Sequence, residues 1–536
     1  MSTSLPELTP QDIRQALQAG EEIALLDVRE EAPFAQGHPL WAANLPAGRV
    51  ELEAWQRLPR RDTRIAVYDN GEGLAALAAQ RLQALGYSQV HTLAGGLAGW
   101  ERAGYELFID VNVPSKAFGE WLEAERHTPS LAAEEVKALL DAKADVVVLD
   151  ARRFDEYQTM SIPGGVSVPG AELVLRAQAL APDPKTHIVV NCAGRTRSLI
   201  GTQSLINAGL PNRVTALRNG TIGWLLAGQQ LDHGADRRAP AVDEARRSQG
   251  AERARAVAER AGVRRATRAQ LQQFHDEATR TTYFFDVRSA EEYLAGHLAG
   301  FRHYPGGQLV QETDHAAPVR GARIVLVDDD GVRANMSASW LAQMGWETWV
   351  LDGVAADDWN ETGAPATTYP EPAGAVQDIT VQTLSGWLDA DAADADSART
   401  AVLDFTASAN YVQRHIPGAW FALRSQLAQA AREIPQAERY VVTCGSSLLA
   451  RYTAQALADA TGAAVYALAG GTQAWIAAGL PLENGETRLA SPRIDRYRRP
   501  YEGTQAPRSA MQAYLDWEFG LVDQLKRDGT HGFHTI

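Results

Sequence analysis

The sequence predicts an α/β fold in four tandem copies, each a mainly parallel central sheet flanked by helices, plus a C-terminal helical tail. Three observations predict it. Four apolar runs end in Asp, a second apolar run ends at a near-constant distance beyond each, and a Gly-containing turn leading to Trp closes each copy. Short β-branched runs alternating with helical patterns read as parallel strands joined by helices. Recurrence at a fixed spacing marks an internal repeat.

The first runs are "IALLDVRE", "VVVLDARR", "YFFDVRS" and "AVLDFTA", with Asp27, Asp150, Asp286 and Asp404 at the strand ends. Three continue as Asp-x-Arg, giving Arg29, Arg152 and Arg288, whereas the fourth has Thr406. An aromatic stands seven residues after each Asp (Phe34, Tyr157, Tyr293, Tyr411), and His38, Ser161, His297 and His415 stand four further on. The second runs, "IAVYD", "IVVNC", "IVLVD" and "YVVTC", end at Asp69, Cys192, Asp328 and Cys444, at offsets of 42, 42, 42 and 40 residues. Trp100, Trp224, Trp359 and Trp475 follow after 31, 32, 31 and 31 residues. Beyond the second run, "LAALAAQRLQALGY" predicts a helix stopped by Gly86, and "SLIGTQSLINAGL" one stopped by Gly209. Cys192 therefore ends a strand and opens a loop into a helix, at the sheet edge where open α/β folds bind ligands.

These periods give units over 1–110, 128–233, 263–365 and 377–484. The Ala/Arg/Glu segment 234–262 reads as a charged helical linker, a solvated spacer separating two halves. Unit one is then expected to pair with two, and three with four. "TGAPATTYPEPAGA" is a Pro/Gly/Ala linker before unit four. The tail, 485–536, has no counterpart elsewhere. It carries a basic-aromatic strip (Arg493, Arg496, Tyr497, Arg498, Arg499, Tyr501) and then a helix with Met511, Leu515, Trp517 and Leu521 on an apolar side. It is expected to clamp onto a neighbouring domain; the sharper alternative is a flap over the unit-two pocket.

The 536 residues exceed a single core, and a formal charge of −15 argues against nucleic acid or an anionic membrane as main partner. No apolar run is long enough to span a bilayer, and the start, "MSTSLPELTPQDIRQ", has no signal-peptide pattern. Two cysteines cannot form a disulfide framework, which suggests a cytoplasmic location, and no metal-ligand spacing occurs, so neither metal nor cofactor is expected.

The chemistry concentrates in unit two, in "CAGRTRS". Features shared with units one and three, which carry Asp69 and Asp328 where unit two has Cys192, belong to the scaffold. Asp150, Arg152 and the histidines fall in that group. Cys192 is followed by Ala193, Gly194, Arg195, Thr196, Arg197 and Ser198, just before a helix. Loop amides and a helix N-terminus favour thiolate over thiol, and two guanidinium groups add to the bias and can grip an oxyanion.

On "VVLDARRFDEY…IPGG", "VVNCAGRTRS" and "LRNGTIGW", unit two resembles a catalytically competent rhodanese domain, and the other units share recognisable partners of these motifs. The resemblance implies a parallel-sheet α/β fold and an active cysteine opening a cradle-shaped loop. It implies a thiosulfate sulfurtransferase: Cys192 takes the sulfane sulfur of thiosulfate as a persulfide, held by the amides of Ala193 to Ser198, while Arg195 and Arg197 hold the donor's oxygens. The acceptor is cyanide, a thiol or a protein cysteine. The six-residue loop, Cys-x-x-x-x-Arg, is one residue shorter than in the related dual-specificity phosphatases of the cell-cycle type, which favours sulfur over phosphate. Units one and three, with Asp for Cys, are expected to be inactive. Cys444, in "TCGSSLLAR", is a possible second thiol in a loop where Ser446, Ser447, Leu448 and Leu449 stand in place of the arginines. The alternatives are a protein-binding or regulatory scaffold and a mercaptopyruvate-type sulfurtransferase.

Overall fold

Each copy of the repeat becomes one sheet in the computed structural model, which describes residues 5–372, 374–393, 399–503 and 505–536. In unit two the strands run in the order Ser130–Leu131, Val214–Leu217, His187–Asn191, Val146–Asp150, Val166–Ser167, all parallel. Units three and four repeat this order. Unit one does too, with one addition: Val319–Arg320, a strand from unit three, pairs antiparallel with Ile23–Asp27. The two central strands of every unit are apolar on both faces because helices cover both sides.

The repeated residues outside the cradle loop brace the sheet edge. Arg152 is buried and donates two hydrogen bonds to Asp150, at 2.8 and 2.7 Å, and a third to the carbonyl of Met160. Arg29 and Arg288 do the same with Asp27 and Asp286, and each also reaches the carbonyl eight residues on. The tyrosine hydroxyls of Tyr157, Tyr293 and Tyr411 likewise donate to carbonyls eight residues on. His38, Ser161, His297 and His415 sit where the returning chain forms a single β-bridge, with Phe108, Asp232, Glu361 and Glu483. Three of them stack on the repeat's aromatic at 3.9 Å. Unit four lacks the arginine, and burial accordingly raises Asp404 to about 7, against the amide of Thr406.

The predicted helices form at Leu74–Ala84 and Thr196–Asn207. The expected pairing of units does not. Unit two packs on unit three, where Gly306 lies so close to Ala171 that a Cβ there would sit 2.9 Å from it, and Trp340 donates to Ser204 at 2.9 Å. Unit one packs on unit four through Arg424, which clamps Glu51 with bonds of 2.6 and 2.8 Å. The reason lies in the segment read as a solvated spacer. Its helix, Glu244–Arg260, buries Ala254 and Val257 in one core with Leu173 and Leu175 of unit two and Val332 and Met336 of unit three. Small apolar residues among its charges make it a joint rather than a spacer.

A helix that no repeat motif marks, Val113–Arg126, follows unit one, and the C-terminal helix Arg508–Asp528 lies against it. Phe118, Leu122, Leu521 and Leu525 share the largest core. Replacing Arg288 by Ala leaves Asp286 buried without its counter-ion and is expected to cost about 3–5 kcal/mol. An earlier urea transition, read by tryptophan fluorescence, checks this.

Candidate active site

The second strand of each unit delivers one side chain into a loop of backbone amides, and the residue there decides what the loop does. In unit one, Asp69 accepts from the amides of Gly71 and Ala75, at 3.0 and 2.9 Å. In unit three, Asp328 accepts from Gly331 and Ala334, at 3.1 and 2.8 Å. A carboxyl oxygen thus fills each of these cradles. In unit two the loop closes on Cys192, whose thiol donates to Ser198 Oγ at 3.4 Å and whose anion the Ser198 amide favours. Behind it, Thr221 and Ile222 donate to the carbonyls of Cys192 and Ala193, at 2.9 and 3.0 Å. Gly220, at φ +52°, allows this approach: a Cβ there would fall 2.3 Å from the Cys192 carbonyl oxygen.

The loop is covered. Ala193 packs with Ile222, Tyr501, Met511, Tyr514 and Leu515. Gly194 lies under the ring of Tyr514 and beside Glu518 Oε2, and Thr196 lies against Gly119. The tail is therefore both clamp and flap: its helix buries one side in the core and sets Tyr514 and Glu518 over the cysteine. Cys192 is 1% exposed.

This burial reverses one expectation. It pushes the Cys192 thiol up from the ordinary cysteine value, outweighing the nearby Arg197 charge and the bonds from Ser198. With the helix docked, burial thus opposes the thiolate that the loop's amides and arginines suggested. Both arginines, moreover, are occupied. Arg195 donates to Glu120 at 2.7 and 2.9 Å and to Asn219 at 3.2 Å, also contacts Glu123, and lies over the ring of Phe519. Arg197 grips Glu156 with bonds of 2.7 and 2.8 Å. Burial alone would raise Glu156, but the Arg197 charge overrides it and holds the carboxyl at about 2.

Sequence reasoning missed Glu120, Glu123, Glu156, Tyr514 and Glu518 as neighbours of the loop. Glu120 and Glu123 stand in "VPSKAFGEWLEAER", where acids recur among apolar residues; that pattern was the one available signal. Burial raises Glu120 to about 7 despite Arg195, and burial together with the Glu120 charge raises Glu518 to about 8. Tyr514 donates to Glu518 Oε1 at 2.8 Å, while Oε2 is buried without a partner. Asp150 and Arg152 remain beside the loop, and Asn191 donates to Asp150 at 2.8 Å.

An amide-lined cradle carrying cysteine at the carboxyl end of a parallel strand, repeated with Asp in two sister units, defines the class. The chain belongs to the rhodanese family: the model of the rhodanese-like domain matches residues 9–103, 132–227, 267–359 and 384–478. A thiosulfate sulfurtransferase of Pseudomonas aeruginosa, known from its crystal structure, is 67% identical over 99% of this chain and 100% of its own, with a TM-score of 0.97. The likeness spans both whole chains and puts this protein among the rhodanese-type transferases. A thiosulfate sulfurtransferase of Azotobacter vinelandii is 28% identical over 218 residues, 37% of this chain and 79% of that relative. An HTH-type transcriptional regulator of Mycobacterium tuberculosis is 34% identical over 91 residues, so this chain spans 39% of the regulator's length.

A buried carboxyl raised towards 8 holds its proton better in the docked state than when released. Its contribution to docking is full below its ordinary value of 4.5 and is lost as pH climbs through about 8. Hydrogen exchange across Arg508–Asp528, corrected for intrinsic rates, should be faster at alkaline than at mildly acidic pH. Glu518→Gln should flatten that difference.

Proposed function

We propose that the protein moves sulfane sulfur from thiosulfate, through a persulfide on Cys192, to a thiophilic acceptor: cyanide in an assay, and a thiol or a protein cysteine in the cell. The observation that carries this reading is the placing of Cys192 in the cradle that Asp69 and Asp328 fill in units one and three. A site that satisfies a carboxyl oxygen with backbone amides also suits a persulfide anion. The near-full-length likeness to a thiosulfate sulfurtransferase supports the choice of donor.

In this scheme the C-terminal helix first withdraws Tyr514 and Glu518 from Gly194. Released from burial, the thiol ionises more readily, and Arg197 and the Ser198 amide favour the anion. The thiolate attacks the outer sulfur of thiosulfate, the S–S bond of the donor breaks, and sulfite leaves with the electron pair. Ala193 to Ser198 line the cradle. Arg195 and Arg197 serve the donor's oxygens once one of their carboxylate partners yields, and charge building on the leaving group meets cations already in place. The acceptor then takes the outer sulfur and restores the thiolate. Asp150 and Arg152 hold the strand end. No helix among the described residues is long and apolar enough to cross a membrane. Both cysteines are free, which fits the reducing cytoplasm.

Two half-reactions through a covalent intermediate require ping-pong kinetics, so initial-rate lines at several cyanide concentrations should be parallel. Cys192→Ser should drop thiosulfate:cyanide activity close to the uncatalysed level. Peptide mass spectrometry after thiosulfate treatment should find one added sulfur atom on Cys192. An unmodified Cys192 in a protein that still turns over would overturn this assignment.

A further inference from the structure

Unit four presents its cysteine differently. The backbone amides of Ser446, Leu449 and Ala450 favour the Cys444 anion and so oppose the upward push of burial on the thiol. The last of these stands six residues beyond the cysteine, in register with Ala75, Ala334 and Ser198 in the other units. Cys444 is 7% exposed, and among the described residues no helix of the tail lies across its loop as Arg508–Asp528 does in unit two. A cavity of about 400 Å³ opens at the junction of units one, three and four, and Leu449, whose amide favours the Cys444 anion, forms part of its wall.

Unit one supplies what the unit-four loop lacks. Arg49 lines the same cavity as Leu449 of the Cys444 loop and keeps half of its side-chain surface free. Its carboxylate partner, Glu53, is shared with Arg57. Four buried polar atoms of cavity-lining residues have no hydrogen-bond partner among the described residues: Arg424 Nε, Arg499 Nε, Asp314 Oδ1 and Asp495 Oδ1. Acidic residues line the wall as well, among them Glu30, Glu31 and Asp495. Burial raises Glu30 and Glu31 and takes Asp314 to about 7, which reduces the negative charge an entering anion meets.

We propose that Cys444 is a second sulfur-accepting cysteine whose donor site is assembled across two units, with Arg49 of unit one holding the oxyanion of a small sulfur donor. This rests on the rhodanese-type reading of the fold but not on the role given to Cys192. The Cys444 thiol loses its proton to water, and the thiolate attacks the outer sulfur of thiosulfate. The Sγ–S bond forms as the donor's S–S bond breaks, and sulfite leaves with the pair. With 3-mercaptopyruvate the C–S bond breaks instead, and pyruvate leaves with the pair as its enolate. Unit one, whose own cradle is filled by Asp69, then acts as the positioning half of a shared site.

The test uses the full chain as Cys192→Ser, Cys444→Ser and the double variant, each treated with thiosulfate or with 3-mercaptopyruvate and mapped by peptide mass spectrometry. The Cys192→Ser protein should gain one sulfur atom on Cys444 from at least one donor, and the double variant none. Removing a charge-assisted contact with Arg49→Met in the Cys192→Ser background should slow that loading about tenfold or more, with Arg49→Lys recovering part of it. Arg49→Met in the Cys444→Ser background should load Cys192 at the parent rate, which verifies folding. If Cys192 loads in the Cys444→Ser protein while Cys444 never loads from either donor, this proposal falls and the Cys192 reading stands. Cys444 loading that Arg49→Met leaves unchanged overturns the two-unit site, and no loading of either cysteine overturns both readings.

Discussion

The backbone amide six residues beyond the second strand fixes the character of every unit. It points back at the side chain that ends the strand, and that side chain must accept a hydrogen bond, because a buried amide without a partner is costly. Asp69 and Asp328 meet the demand with oxygen, Cys192 and Cys444 with sulfur. In three units a glycine lets a second turn hydrogen-bond the strand-end carbonyl from behind, at 2.9 Å each time. The backbone is therefore the same whether or not chemistry follows. Asp in this place is more than a lost nucleophile: it satisfies the very amides that a bound anion would use.

Two demands on the sulfur oppose each other. In the proposed mechanism, exclusion of water strengthens every hydrogen bond to a persulfide and protects it, yet the same exclusion disfavours the thiolate that would form it. Unit two answers with closure, as Tyr514 and Glu518 cover the loop and carboxylates hold both arginines. In the arrangement proposed for unit four, the answer is a cavity, amides that favour the anion, and a cation from another unit. In the closed cradle Arg195 holds Glu120, and burial raises Glu518, which lessens the negative charge that the docked helix brings towards the sulfur.

The repeat made much of the fold legible. A strand-end residue recurring at nearly constant offset placed the central strands, the cradle and the following helix, because local hydrogen bonding from Arg152 to Asp150 and from Tyr157 to Gly165 sits within a few residues and leaves a regular trace. Contacts between segments that occur once left none. The helix Val113–Arg126 lies outside the repeat, so nothing periodic announced that Glu120 and Glu123 would take Arg195. The pairing of two with three and one with four was hidden for a related reason. It depends on Ala254 and Val257 in a segment whose charges dominate its composition, and on Arg424 meeting Glu51 across more than 370 residues. The loop sequence placed Cys192 at the cradle, but the burial that raises its thiol comes in part from Tyr514 and Glu518, which are more than 300 residues away in sequence.

The strand Val319–Arg320 closes the open side of the first sheet although it comes from the third unit. Until the ribosome has released the chain past this point, the Ile23–Ala24 end of that strand has no partner on that side, whereas Leu26 and Asp27 already pair with Ala43 and Asn44, and an uncovered strand end is a template for pairing with another nascent chain. Although built by repetition, the chain does not mature repeat by repeat: the earliest domain to emerge waits for the third before its sheet is capped.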